Sequence, residues 1–362
     1  MIPYKLLDWI DINKLDWKML SLNPNAIQLL EQNLDKVDWI SILYNKNAIH
    51  ILEKNLYESR RDGSVCKISW CQLSENPNAI HLLEKNLQKI NWSYLSINPN
   101  AIHLLEKHPE KIDWRYLSHN PNAIQILKHN IDESRRDGSV CKINWYQLSQ
   151  NPNAIDLLKS NYDESRRDGS VCKIEWDFLS SNPNAIHLLE NNLYESRRDG
   201  SVCKVNWSYL SHNPNAIDLL KANQDKINWY QLSENPNAID LLAANQDKIV
   251  WNVLSKNLNA IHLIEKYLDK LQNNNNWYES AQNSNANDLF KINWYGLSQN
   301  PSAIDLLKKN QDKIIWYYLS KNPNIFTYDY EIMKQRINIF KEELMMKVFH
   351  PDNFFKFRDW GF

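Results

Sequence analysis

A single pattern, W-x-x-L-S-x-N-P-N-A-I-x-L-L, recurs along almost all of the 362 residues and limits what the chain can fold into. Segment 92–105, WSYLSINPNAIHLL, is a clean copy. Over most of the sequence the tryptophans lie 22 or 31 residues apart, and a fixed period in this range is typical of repeat proteins. The pattern has 13 copies, which begin at Trp17, Trp39, Trp70, Trp92, Trp114, Trp145, Trp176, Trp207, Trp229, Trp251, Trp294, Trp316 and, in decayed form, Trp277.

Each copy is typical of two short helices separated by the Asn-Pro-Asn turn. In one copy, Asn91 stands before the tryptophan, where its side-chain oxygen can cap a first helix. Helical angles are disfavoured before a proline, so this helix should end near Asn98. Asn98 can cap a second helix, and Pro99 suits the first position of that helix. Residues 101–105 then provide an apolar stripe on the second helix.

Helix pairs this short are not stable alone, so they must stack and bury their Trp, Leu, Ala and Ile residues in one spine. The predicted fold is therefore all-α, an α-solenoid with N- and C-terminal caps. Because packed helices lie ~8–10 Å apart, the units would form an open rod or superhelix on the order of 100 Å long. We assign 1–16 to an N-terminal capping unit, 17–325 to the repeat array and 326–362 to a C-terminal helical and aromatic cap.

The pattern WxxLSxNPNAIxLL resembles the tandem-repeat proteins that giant DNA viruses of the mimivirus type encode in many copies. The opening KLLDWIDINKLDW is similar to their N-terminal unit, and EELMMKVFHPDNFFKFRDWGF (342–362) is similar to a closing segment of the same proteins. The resemblance implies a mediator of protein–protein contacts, located in the host cytoplasm or the virion, without known catalytic residues. The 31-residue units depart from the common 22-residue period of that family.

The composition argues against several functional classes. The formal net charge is -1, so the chain has no overall excess of positive charge of the kind that nucleic-acid-binding proteins carry. No leader sequence is evident and no apolar run approaches the ~20 residues of a membrane span, so we expect a soluble intracellular protein. The sequence shows no glycine-rich phosphate loop, zinc-ligand spacing or nucleophile motif, which predicts no enzymatic activity, no cofactor and no metal.

The residue after N-P-N-A-I varies among a few polar types and would form one column along the second helices. This polar column could recognise a partner, and it would change from histidine-rich to aspartate-rich along the chain. The simpler alternative is that these polar residues only form a solvated helix face. Histidines of neighbouring units would be ~10 Å apart, whereas ligands lie ~2 Å from a metal ion, so the column predicts no metal site. Its members are Gln28, His50, His81, His103, Gln125, Asp156, His187, Asp218, Asp240, His262 and Asp305.

An aromatic residue often follows the tryptophan by one or two positions, as at Tyr94, Tyr146 and Phe178. Stacked aromatics between helical repeats could indicate a solenoid that reads nucleobases. That function needs a basic groove, and the variable columns hold mainly Asp, Glu, Gln and His instead. Packing between repeats is the simpler explanation, so the sequence disfavours nucleic-acid binding.

Four units carry nine extra residues between the second helix and the next tryptophan. In the first of these inserts, the Asp-Gly pair could form a two-residue hairpin turn. Alternatively, the second helix could continue through both arginines and end at the glycine. The helical spacing of Leu56 from Ile49 favours the continued helix. All four inserts contain the identical string ESRRDGSVCK, at 58–67, 133–142, 164–173 and 195–204.

The inserts leave the same edge of the solenoid, so their arginine pairs would form a ridge that can bind an acidic, carboxylate-rich partner. Alternatively, the Glu, Asp and Arg residues of the inserts pair with one another along the edge. Cysteines one unit apart are too distant for unstrained disulfides, so we expect free thiols packed beneath the edge. The arginines are Arg60, Arg61, Arg135, Arg136, Arg166, Arg167, Arg197 and Arg198.

These observations predict a non-enzymatic scaffold that binds an unknown viral or host protein through the polar column and the arginine-bearing edge. The main alternative is a structural component that self-associates through its ends or edge, without contact to a membrane. The aromatic residues near the C-terminus are expected to cap the open end of the spine, and a docking motif is the alternative for them.

Overall fold

The computed structural model describes residues 3–62, 68–169, 171–199, 203–273 and 292–348. Its repeated unit is a short first helix, an Asn-Pro-Asn turn and a second helix, which confirms the predicted all-α repeat solenoid. In the second unit a 3-10 helix, Ser41–Tyr44, stands in place of the first helix. The other first helices are Trp17–Leu22, Trp70–Glu75, Trp92–Ile97, Trp114–Leu117, Trp145–Gln150, Trp176–Ser181, Trp207–His212, Trp229–Glu234, Trp251–Leu254, Trp294–Gln299 and Trp316–Leu319.

The second helices begin at the isoleucine of the repeated motif. They are Ile27–Gln32, Ile49–Asp62, Ile80–Glu84, Ile102–Lys107, Ile124–Asp137, Ile155–Asp168, Ile186–Asp199, Ile217–Lys221, Ile239–Ala244, Ile261–Asn273 and Ile304–Lys309. Short 3-10 turns lead into several first helices, at Ile12–Lys14, Leu87–Lys89, Pro109–Lys111, Gln224–Lys226, Gln246–Lys248 and Gln311–Lys313. A longer helix, Tyr330–Val348, follows the repeats.

The predicted cap is confirmed for the first helix and corrected for the second. The Asn91 side chain accepts a hydrogen bond from the Tyr94 amide at 3.2 Å. The Asn98 side chain likewise accepts from the Asn100 amide at 3.0 Å, but this bond closes a turn, and the regular helix begins only at Ile102. In most units the Asn-Pro-Asn segment therefore forms a separate turn, whereas the 3-10 helices Pro77–Ala79 and Pro301–Ala303, capped by Asn76 and Asn300 as predicted, lead directly into the second helix.

The spine of the array is one continuous apolar core. The leucine of the first helix, the alanine of the turn and the last leucine of the motif are fully buried, as shown by Leu95, Ala101 and Leu105. The tryptophans are half-buried at the edge of this core. A lysine from the return segment covers the ring of the preceding unit, as Lys89 does over Trp70 at 5.1 Å. Burial shared between units explains why such short helices are stable together.

Hydrogen bonds from buried asparagines join each turn to the preceding one. Asn98 donates its side-chain amide to the carbonyls of Ser74, at 2.9 Å, and Asn76, at 3.0 Å. Asn100 donates to the carbonyl of Pro77 at 2.9 Å. The two asparagines thus supply donors to backbone carbonyls where the units stack, and the Asn76 carbonyl also accepts from the Ala79 amide at 3.0 Å.

The buried serine of each motif forms a second link between units. The Ser96 hydroxyl donates to the Trp92 carbonyl at 2.8 Å and accepts from the Asp113 amide of the next unit at 3.0 Å. One side chain thereby bonds to the first residue of its own helix and fixes the start of the next first helix.

The two ends of the array are joined by a short antiparallel sheet. Strand Tyr4–Leu6 pairs with strand Phe326–Tyr328, and Tyr4 lies opposite Tyr328. The first strand packs against Ile27–Gln32, so the strand pair occupies the place where the last unit would carry its second helix.

The boundary between the last and first units uses the same bonds as the internal boundaries. Asn23 donates its side-chain amide to the Ser320 carbonyl at 3.0 Å, and the Asp16 amide donates to the Ser320 hydroxyl at 2.8 Å. Lys14 lies over the ring of Trp316 at 5.1 Å. The expectation of an open rod is therefore wrong, because the solenoid closes into a ring. The segments assigned as caps contain the two strands that pair, and the aromatic residues of 349–362 lie outside the described residues.

The decayed copy at Trp277 lies outside the described residues, and the ring does not depend on it. The unit of Trp294 stacks directly on the unit of Trp251, since the Asn293 amide donates to the Ser255 hydroxyl at 3.0 Å. The other 12 tryptophans of the motif therefore mark 12 units that complete the ring.

The first helices lie on the inner side of the ring. Neighbouring first helices and turns are joined by direct bonds to the backbone. Neighbouring second helices approach each other less closely and are bridged by the ends of long side chains, as between His50 and Glu31 at 2.5 Å or Arg135 and Glu164 at 2.6 Å. In a closed ring, equivalent points are closer together at smaller radius, so the second helices and the inserts form the outer side.

Candidate interaction surfaces

The inserts continue the second helices through both arginines, as the spacing of their apolar residues predicted. Gly138 and Gly169 end two of these helices in the left-handed conformation, with φ of 73° and 74°. The return to the next tryptophan is held by a buried asparagine, because the Asn130 side chain accepts from the Lys142 amide at 2.9 Å. The hairpin alternative is therefore wrong for these inserts.

The first arginine of an insert pairs with the glutamate of the next insert. Arg135 Nη2 lies 2.6 Å from Glu164 Oε2, and Arg166 Nε lies 3.7 Å from Glu195 Oε2. The buried Tyr162 also donates its hydroxyl to Glu195. Burial raises the pKa of Tyr162, and the Glu195 carboxylate acts in the same direction, so this hydroxyl stays protonated. For these arginines, pairing along the edge is the correct alternative.

The second arginine of the pair is exposed in Arg136, Arg167 and Arg198. Within the described ranges, no carboxylate lies at salt-bridge distance from Arg136 or Arg167. Arg198 lies over the Tyr194 ring at 5.9 Å. We call these three residues the arginine row, because they occupy the same position in three consecutive units on the outer edge.

Four residues that the sequence singled out in the inserts lie wholly or partly outside the part of the chain that the structure describes. Side chains of Arg60, Arg61 and Arg197, and the whole of Cys66, lie outside the described residues. The remaining insert cysteines, Cys141, Cys172 and Cys203, are free thiols, half-buried against the apolar core, as predicted.

In the first part of the ring, the polar column joins neighbouring second helices. Each histidine there pairs with a glutamate of the preceding unit: His50 with Glu31 at 2.5 Å, His81 with Glu53 at 2.5 Å, and His103 with Glu84 at 2.9 Å. These histidines are therefore already engaged within the protein.

Further along the ring, the polar column is exposed. His187 lies 3.3 Å from Glu190 of its own helix, and Asp218 lies 3.8 Å from Lys221. Asp240 is also exposed. This part of the column is a solvated helix face that remains open to a partner.

An open groove of about 360 Å³ connects the polar column with the arginine row. Asp156 lies at one end and Arg167 at the other. The rest of the lining is Lys159, Ser160, Asp163 and Glu164. The structure thus brings together one residue from each surface that the sequence singled out.

The aromatic residues that follow the tryptophans line the inner side of the ring. They lie on the face of the first helices opposite the buried leucine and serine. Neighbouring rings contact each other, with centroids 4.1 Å apart for Tyr146 and Phe178 and 5.8 Å for Phe178 and Tyr209. We call this set the tyrosine face: Tyr94, Tyr116, Tyr146, Phe178, Tyr209, Tyr230, Tyr295, Tyr317 and Tyr318.

Packing between repeats explains only part of the tyrosine face. Tyr146, Tyr209, Tyr230, Tyr295 and Tyr317 keep 41–52% of their surface exposed despite these contacts. The sequence-based explanation is therefore incomplete. The signal that was missed is the recurrence of tyrosine at positions that the first helices present to solvent.

The described residues give no support for a metal centre or a membrane span. In the ranges that the structure describes, no three His, Cys, Asp or Glu side chains converge in a way that could hold an ion. No described helix combines the length and the apolar character that crossing a membrane requires.

Comparisons of the chain with protein-family models, with curated proteins and with solved structures give no match. The function must therefore be inferred from the residues of the chain itself.

Proposed function

We propose that the chain is a non-enzymatic scaffold that binds a protein partner through its outer edge. The observation that carries this proposal is the arginine row: Arg136, Arg167 and Arg198 are exposed with no described carboxylate at salt-bridge distance, whereas Arg135 and Arg166, although also exposed, pair with glutamates of the next insert. The paired arginines hold neighbouring inserts together, and those of the row present their guanidinium groups to solvent.

A guanidinium group recognises a carboxylate through two parallel hydrogen bonds. Arg136, Arg167 and Arg198 recur once per unit, so the partner best suited to the row is a protein segment with several Asp or Glu residues. The groove that ends at Arg167 also holds the carboxylates of Asp163 and Glu164, within about one helical turn of that arginine. A partner that also carries a basic residue would therefore be favoured over a purely acidic chain.

The test is affinity capture with the tagged chain, followed by mass spectrometry. The variant R136A/R167A/R198A should lose the specific partner, because it removes the exposed guanidinium groups. The matched control R135A/R166A removes the same chemistry from the pairs between inserts and should retain the partner. Equal capture by both variants would reject the proposal.

Salt dependence provides an independent check on the same row. Exposed charges separated by more than ~10 Å are largely screened at 0.1 M ionic strength. Affinity for the partner should fall as salt is raised, and the decrease should be smaller for R136A/R167A/R198A. A partner that binds equally at all salt concentrations would not be held by the arginine row.

Self-association is a second candidate function, favoured by one observation. The helix Tyr330–Val348 exposes Ile337, Phe340 and Leu344, which lie on one face at helical spacing. Sedimentation should then show reversible, concentration-dependent oligomers that Phe340→Lys weakens. A single monomeric species over the accessible concentrations would reject this candidate.

We further propose, from the repeated motif alone, that the chain belongs with the mimivirus-type tandem-repeat proteins and acts in the host cytoplasm or the virion. The resemblance of the segments around Trp17 and in 342–362 supports this assignment. Detection of the protein in purified virions or infected cells, by mass spectrometry, tests it directly.

A further inference from the structure

The inner side of the ring offers a surface that the outer arginine row does not use. First helices packed ~8–10 Å apart in a ring of 12 enclose a circle about 30–40 Å across between opposite axes. Subtracting one helix diameter leaves an opening of about 20–30 Å. The tyrosine face borders this opening, which is wide enough to admit a polypeptide segment.

The run from Tyr146 to Tyr230 is a continuous part of the tyrosine face, in which the aromatic residue follows its tryptophan by one position at Tyr146 and Tyr230 and by two in the two units between them. It spans four consecutive units, in which the tyrosines keep their rings half-exposed. Their neighbours include uncharged polar groups such as Gln147 and Ser208, together with the carboxylate of Asp177. Tyrosine surrounded by short polar groups provides a large, rigid contact area at a low entropic cost, as in surfaces that bind proteins.

The charges of this run exclude a polyanion as the natural occupant. Its four first helices contain no lysine or arginine. Asp177 accepts a hydrogen bond from Asn206 at 2.8 Å, and Glu234 lies 3.9 Å from Lys256. A nucleic acid needs cations to neutralise its phosphates, whereas a polypeptide of low net charge needs none.

Rings at equivalent positions of neighbouring units are spaced close to the repeat of an extended peptide, whereas Tyr146 and Phe178, which stand at different positions of their units, lie 4.1 Å apart. Phe178 and Tyr209 stand at the same position in consecutive units, with centroids 5.8 Å apart, and the corresponding distance between Tyr94 and Tyr116 is 6.1 Å. Two residues of an extended chain span about 6.5 Å. Alternate side chains of a bound strand would therefore meet one unit after another.

We propose that the tyrosine face between Tyr146 and Tyr230 is a docking surface for an extended, low-charge peptide segment with apolar or aromatic side chains at alternate positions. The segment stacks these side chains on the exposed rings, and the tyrosine hydroxyls and neighbouring amides bond to its backbone. This surface lies on the opposite side of the ring from the arginine row, so the two proposals succeed or fail separately.

The experiment selects linear peptides of about 12 residues from a phage-displayed random library against the whole chain, a length that exceeds the roughly eight residues that four units would contact at two residues per unit. Enriched peptides are then synthesised, and their affinity is measured by fluorescence anisotropy. We expect low-charge peptides with alternating apolar residues. Their affinity should fall about tenfold or more for Y146A/Y209A/Y230A, as expected when exposed aromatic anchors are lost.

Three controls distinguish binding at this face from a loss of folding and from binding elsewhere on the ring. Y146F/Y209F/Y230F preserves the rings and removes only the hydroxyls, so it should lose less affinity than Y146A/Y209A/Y230A, whose thermal unfolding midpoint is measured to show that it folds. Tyr330→Ala removes an exposed tyrosine elsewhere and should change nothing. R136A/R167A/R198A should bind the peptides as the unchanged chain does.

The proposal is overturned if no peptide is enriched above the background of the same selection carried out without the protein. It is also overturned if the enriched peptides bind Y146A/Y209A/Y230A with unchanged affinity. Binding of a single-stranded oligouridylate that depends on the same tyrosines, with no peptide enriched, would assign the face to nucleic acid and reject a peptide occupant.

Discussion

Asn23 donates its side-chain amide to the backbone carbonyl of Ser320 at 3.0 Å, although the two residues are 297 positions apart in the chain. The same amide reaches the Asn322 carbonyl at 2.9 Å. Asn98 forms the equivalent bonds to Ser74 and Asn76, within two adjacent units. The first and last units are therefore neighbours in the same sense as any two consecutive units.

Replacement of Asn23 tests this closure. Asn23→Ala leaves the buried Ser320 carbonyl without this donor, while the Asn322 carbonyl keeps the Ile325 amide, so we expect the free energy of unfolding to fall by about 1–3 kcal/mol. Asn98→Ala is the matched internal control and should cost a similar amount. Urea denaturation of both variants measures the comparison, and a negligible loss for Asn23→Ala alone would show that the ring is open.

At Ser302 the turn lacks the second asparagine that donates to the preceding turn, so this hydrogen bond can be introduced by mutation. This residue stands where most units have the second asparagine of the turn, and Asn100 uses that position to donate to the Pro77 carbonyl at 2.9 Å. Ser302→Asn should therefore stabilise the protein by about 0.5–1.5 kcal/mol, the usual net value of one hydrogen bond. The reverse change, Asn100→Ser, should destabilise it by a similar amount in the same urea titration.

The glycine that ends an insert helix is needed for its backbone conformation. Gly138 has φ of 73°, and no atom lies within 4 Å of the position that a Cβ would occupy. Gly138→Ala should therefore cost about 1–2 kcal/mol through backbone strain alone. Gly138→Asn should cost less, because asparagine adopts this conformation more readily. Equal thermal unfolding midpoints for the two variants would contradict a cost that arises from backbone strain.

One carboxylate makes stability depend on pH in a defined direction. Asp38 accepts a hydrogen bond from the Ser41 amide at 2.7 Å, and the Ser41 side chain and backbone lower the pKa of Asp38 below its usual value. A lowered pKa in the folded state stabilises the protein above about pH 4, and this contribution is lost as the pH falls through the folded pKa.

The variant Asp38→Asn isolates that contribution, since the amide can still accept a bond but does not titrate. Its deficit in stability relative to the unchanged chain should be present at pH 6 and should shrink towards pH 2. Urea midpoints at the two pH values measure this, and a deficit that stays constant would assign the effect to packing.

Local patterns predicted the unit correctly. The Trp and Leu spacing, the asparagine before each tryptophan and the Asn-Pro-Asn turn predict two short helices and a shared apolar spine. The spacing of Leu56 from Ile49 also indicated that the inserts extend the second helix. These predictions succeed because each depends on a few adjacent residues, whose preferences act over one or two turns.

The surfaces were less predictable. The sequence could not show that Arg135 pairs with Glu164 while Arg136 is exposed, because that distinction depends on how far one insert is rotated relative to the next. It also attributed the aromatics to packing, whereas Tyr146 and Tyr230 remain half-exposed on the inner side. Both outcomes depend on distances between units that no single repeat contains.

The sequence by itself determined the helical unit, its number of copies and the residues that form its core. The sequence also contained a sign of ring closure. Lys14-Leu15-Asp16 has the form of the segment that links a second helix to the next tryptophan, yet no copy of the motif precedes it. Only the tertiary structure decided that the array is a ring. The curvature of a solenoid follows from a small rotation between units, set by side-chain packing at each boundary, and only its sum over all boundaries brings Asn23 to Ser320.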